Sequence, residues 1–133
     1  MQSGTLEHNS LFHDDRLIGL SSIKINLFDL INNMKSSLVS SGKNLKSVIL
    51  VNKSDIKILI TALLDKTEIT SFQSDDSITI QLLEGKLRLN TPKESVIVDK
   101  DHFITITEKV KYQLTPLEET VFLLTIASRP KTN

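Results

Sequence analysis

Between residues 67 and 126 the chain runs in short stretches whose apolar side chains recur at every second position, a period that confines it to antiparallel β architecture. Residues 77–83 set Ile78, Ile80 and Leu82 on one side and Thr79 and Gln81 on the other. Glu84 and Gly85 read as a tight turn into residues 86–90, where Leu87 and Leu89 alternate with Lys86, Arg88 and Asn90. A second turn at 91–94 returns residues 95–98 as a partner, and strands at 103–107, 110–114 and 120–127 complete the series. Upstream, residues 45–51 and 56–64 flank a turn at 52–55, with Ile56, Ile58, Ile60, Ala62 and Leu64 on one face, and 67–72 forms a weaker strand. Strands of this length and spacing predict a sandwich or barrel. Parallel α/β architecture is disfavoured, since only one helix is available for crossovers.

That helix is written at a different period. Leu27, Leu30, Ile31, Met34 and Leu38 fall at i, i+3, i+4, i+7 and i+11, which predicts an amphipathic helix over 27–39. Asn26 is suited to cap its N-terminus, Asp29 lies in the first turn, and Ser40, Ser41 and Gly42 stop it. The expected organisation is an N-terminal arm (1–25), the helix packed on the barrel (26–41), the barrel (43–128) and a short tail (129–133).

Composition removes several functions. The 133 residues suffice for one domain with its own core, and the absence of cysteine excludes disulfides, thiolate metal sites and cysteine nucleophiles. Lysine plus arginine equal aspartate plus glutamate at 16 each, without the basic excess that displaces counterions from a duplex, so no nucleic acid is expected as a partner. Residues 1–15 lack the charged and apolar regions of a secretory signal. The apolar run 56–64 is too short to span a bilayer and contains Lys57, so the expectation is a cytoplasmic protein with no membrane partner.

Three segments carry a resemblance to the small single-domain cupins, the RmlC-like jelly rolls. SITIQLLEGKLRL resembles the strand, glycine turn and strand that close the family's first motif, with Gly85 as the closing glycine. ESVIVDKDHFITITEKVKYQL resembles the second motif, and ETVFLLTIA the final strand. The resemblance implies a mainly β fold, an antiparallel cupin-type β-barrel (a double-stranded β-helix) with one N-terminal amphipathic α-helix.

It also shows what has been lost. Anchored on Gly85, the carboxylate position of the first motif falls on Ile78, its two histidine positions on Ser74 and Phe72, and its opening glycine on Lys66. The closing histidine of the second motif falls on Tyr112, and the proline and glycine before it on Thr107 and Lys109. A divalent ion needs several imidazoles and a carboxylate converging at about 2.0–2.2 Å, and these residues cannot supply them. The expectation is a degenerate cupin with no metal and no cofactor. A one-residue offset would turn Gln73 and Asp75 inward, gaining one carboxylate and no histidine. His8, His13 and His102 show no ligand spacing, and the pairs Asp14/Asp15 and Asp75/Asp76 read as turn caps.

The candidate pocket residues are therefore Phe72, Ser74, Ile78, Ile80, Tyr112 and Leu114, with Val110 beside them. They either fill the barrel or line a pocket for a small apolar or amphipathic ligand oriented by Tyr112 and Ser74. Filling is favoured, because Phe72 and Tyr112 are bulky where histidine leaves room. No histidine–aspartate pair maps inward, Glu84 is expected in solvent, and no nucleophile elbow is present. The function expected is a non-catalytic, metal-free binding or scaffold module. The alternative is a small-molecule enzyme, either a metal cupin with displaced ligands or a metal-free isomerase. A homodimer is also expected, with Leu11, Phe12, Leu17, Ile18, Leu83 and Leu123 either at its interface or packed within the monomer.

Overall fold

The structure, a computed structural model, describes residues 22–71, 77–106 and 110–128. Helix α1 (Leu27–Ser41) precedes strands β1 (Leu45–Asn52), β2 (Ile56–Leu63), β3 (Ile69–Ser71), β4 (Ser77–Glu84), β5 (Lys86–Asn90), β6 (Ser95–Asp99), β7 (Phe103–Ile106), β8 (Tyr112–Pro116) and β9 (Thr120–Ala127). The helix starts as its sequence dictates, with the Asn26 Oδ1 accepting from the Asp29 N–H at 3.1 Å. It stops at Gly42, which adopts φ 71° and donates its N–H to the Leu38 carbonyl at 3.1 Å. Strand β8 begins two residues later than the alternation predicts, at Tyr112 instead of Val110.

The strands form two antiparallel sheets, β1-β2-β9-β4-β7 and β3-β8-β5-β6. Of the connections between strands, only β1–β2 and β5–β6 are hairpins within a sheet, and every other one crosses from sheet to sheet. The result is a jelly-roll sandwich. It belongs to the cupin-type barrel class expected, with sheets that do not close: among the described residues β1 and β7 are edges of one sheet, β3 and β6 of the other.

The crossing after β4 is the sharpest. The tight turn read at Gly85 is not a hairpin: it carries the chain around a corner from the five-stranded to the four-stranded sheet. Gly85 adopts φ 90°, and a Cβ there would stand 2.3 Å from the Glu119 carbonyl oxygen and 2.6 Å from the Thr120 Oγ1. Thr120 is fully buried, and its hydroxyl accepts from the Lys86 N–H at 3.3 Å. The same hydroxyl lies 3.1 Å and 2.8 Å from the Lys86 and Glu118 carbonyls, either of which can take its proton. One side chain thereby satisfies backbone groups that the corner removes from the ladders.

Two cores follow from the layers. Between the sheets, Ile78, Ile80, Leu82, Leu63, Ile106 and Phe122 meet Leu87, Leu89, Val98, Tyr112 and Leu114. On the other face of the five-stranded sheet, Ile31, Met34 and Leu38 of α1 cover Leu50, Ile60, Ala62 and Val121. Leu83 and Leu123 pack against this second cluster. Of the two alternatives for this pair, packing within the monomer is the one observed. Leu83 sits at a register shift between Leu82 and Glu84. Glu84 is not freely solvated as expected: it is half-buried and ion-paired with Lys35 of α1.

Candidate functional site

The candidate site lies at one end of the sandwich. Because a single residue joins β4 to β5, the start of β5 and the end of β4 share one end, and Asn90, the start of β4 and the start of β8 share the other. This second end also receives the β1–β2 turn and the end of β9, since Ile56 and Ser77 both pair with Ala127. It is called the hairpin end below.

The inward set on β4 is fixed by its pleat. Ile78, Ile80 and Leu82 are buried, whereas Gln81 is exposed and Thr79 half-buried. Ile78 stands in register with Ile126 on β9 and Ile106 on β7, so the three form one inward row. From the facing sheet Tyr112 and Leu114 enter the same cluster, and Val110 packs against it. Ile78, Ile80, Tyr112 and Leu114 are thus brought together, and each is no more than 7% exposed. Phe72 and Ser74 lie outside the described residues, as do His8, His13, Leu11, Phe12, Leu17, Ile18, Thr107, Lys109 and both aspartate pairs.

The donor set does not fit the divalent ion that the fold's resemblance implies. The side chains at two of its positions are the hydrocarbon of Ile78 and the phenol of Tyr112, set in an apolar cluster in which Tyr112 is the one ionisable group among the described residues. No group of three or more histidine, cysteine, aspartate or glutamate residues converges anywhere among the described residues. His102, on an exposed turn at the opposite end, lies with its Nδ1 3.2 Å from the Lys100 carbonyl.

Among the described residues, two hollows open at the hairpin end. A groove of about 340 Å³ is lined by Asn90, Thr91, Pro92, Lys111, Tyr112 and Gln113. Tyr112 is 7% exposed, and its hydroxyl has no hydrogen-bond partner among the described residues. A buried phenol normally finds one. The second hollow, of about 470 Å³, is bounded by Asn52, Lys53, Ser54, Ile56, Lys57, Ile126 and Ser128. Sequence reading missed it. Lys53 in the 52–55 turn and Lys57 just after it were legible, but Ile126 and Ser128 join them only through the pairing of β2 with β9.

No helix among the described residues is long and apolar enough to cross a membrane. No protein-family model matches the chain, and no curated protein matches it by sequence. Solved structures do. A cupin superfamily protein from Desulfitobacterium hafniense superposes with a TM-score of 0.62 at 8% identity, over 65% of this chain and 80% of its own. The cupin domain of Cnp3 from Schizosaccharomyces pombe superposes with a TM-score of 0.60 at 15% identity, over 64% of this chain and 65% of its own. Ectoine synthase from P. lautus gives a TM-score of 0.58 at 12% identity, over 64% of each chain. The last two are matched over just under two thirds of their own lengths. The chain therefore has the cupin fold.

Proposed function

We propose that this cupin-fold chain is a non-catalytic, metal-free binding or scaffold module, acting as a cytoplasmic homodimer and taking a small apolar or amphipathic ligand beside Tyr112. The observation that carries the reading is Tyr112 itself. A residue at a metal-ligand position is packed into an apolar cluster, yet it also lines a groove and leaves its hydroxyl without a partner among the described residues. That combination suits a ligand with an apolar body and one hydrogen-bonding group.

The homodimer draws support from β1. It is an edge strand whose Leu45 and Ile49 are 40% and 42% exposed, and among the described residues no strand pairs with its outer side. An edge of this kind is a template for a second copy. The cytoplasmic setting draws on the cysteine-free composition. The enzyme alternative draws on ectoine synthase sharing the fold, which by itself says little about chemistry.

Manganese titration followed by amide NMR tests the metal-free reading. Paramagnetic broadening that stays diffuse over surface carboxylates supports it. Saturable broadening centred on the amides of Ile78, Ile80 and Tyr112 would replace it with a metal cupin of displaced ligands.

A further inference from the structure

The hollow at the β1–β2 turn differs in chemistry from the groove beside Tyr112. Lys57 pairs with Ile126, which pairs with Ile78, which pairs with Ile106, so a lysine and, beyond it on β1, Asn52 continue an otherwise apolar row on the inward face. Lys53 stands on the turn itself, and Ser54 and Ser128 add hydroxyls to the rim. Neither lysine has an ion-pair partner among the described residues. The turn is held in place twice, by the Lys53 N–H donating to the Ile56 carbonyl and the Ser128 N–H donating to the Asp55 carbonyl, each at 2.9 Å. The cationic groups are therefore mounted on an ordered frame, which lowers the entropy cost of binding.

Charge along the sandwich favours the same end. Among the described residues the opposite end carries Asp65, Glu68, Glu84, Asp99, Asp101, Glu118 and Glu119 against Lys43, Lys46, Lys66, Lys86 and Lys100. At the hairpin end the described residues carry Lys53, Lys57, Lys93 and Lys111 against Asp55 and Glu94. The local excess of lysine among the described residues at the hairpin end favours an anion there.

We infer that the hollow is a second ligand site, for a small organic anion whose charged head lies on Lys53 and Lys57 and whose short apolar body lies on Ile126. The apolar residues and the size of the hollow argue against a bare inorganic ion as the preferred occupant. The serine hydroxyls complete the recognition by donating to the anion's remaining oxygens.

The test uses hexanoate as probe and hexanol as its uncharged counterpart, at constant ionic strength, read by amide chemical shifts on the full chain. Saturable hexanoate shifts at residues 52–57 and 126–128 are expected, with hexanol at least about tenfold weaker, as two ammonium contacts in water imply. The K53Q/K57Q variant should lose that preference while its other amide shifts stay in place, and K57R should keep it. Absence of saturable shifts, equal binding of hexanol, or hexanoate shifts confined to residues 90–92 and 111–113 would each overturn the inference. The last result would assign the anion to the Tyr112 groove and leave that reading standing.

Discussion

Ile78 on β4 and Tyr112 on β8, contributed by facing sheets, share one buried cluster, with 5% and 7% of their surfaces exposed. These are the positions that the cupin motifs give to a carboxylate and an imidazole, and here they hold core. Ile78→Ala should therefore cost about 2–4 kcal/mol in chemical denaturation, as truncation in a packed interior does. Ile78→Glu tests the same claim by its pH dependence. Burial favours the neutral carboxyl, so its folded pKa should rise above the unfolded value of about 4.3. The variant should be least perturbed below about pH 4 and lose stability as pH rises from there towards the raised folded pKa. A variant whose stability is flat over that range would mean the site is open to water.

The two described glycines with positive φ separate backbone strain from steric exclusion. Gly42→Ala meets open space at φ 71°, so it should cost only the left-handed backbone penalty, about 1–2 kcal/mol. Gly85→Ala adds a collision with the Glu119 carbonyl and Thr120, and it should cost more than Gly42→Ala by at least about 1 kcal/mol, or abolish folding. Paired urea titrations give the comparison. Equal costs would mean the corner relaxes freely.

Edge pairing through β1 predicts that Ile49→Lys, which places a charge on an exposed edge position, converts a dimer to a monomer without loss of thermal stability in the monomer. Light scattering across a concentration series measures it. A wild-type monomer at high concentration would instead leave the β1 edge to another part of the chain.

Much of this architecture was legible because it is local. The Asn26 cap, the Met34 stripe and the Gly42 stop are all written within a few residues of where they act, as is the inward set Ile78, Ile80 and Leu82. What could not be read is nonlocal. A strand, a glycine and a strand look alike in sequence whether the glycine turns a hairpin or a corner, and only the partners of β4 and β5 decide which. Glu84 was expected in solvent because its partner Lys35 lies 49 residues away. Leu83 was left between a dimer interface and the monomer's own packing, and it is the cluster beneath α1 that gives it cover. The inward placement of Ile78 was legible from the alternation along β4, whereas the lysine hollow needed β9 to be laid beside β2.

Elemental mass spectrometry on protein purified without a histidine tag or chelator tests the central claim most directly. The account predicts transition metal far below one equivalent per chain. One equivalent of zinc, iron, manganese or nickel would contradict it and make a metal-dependent enzyme the leading description.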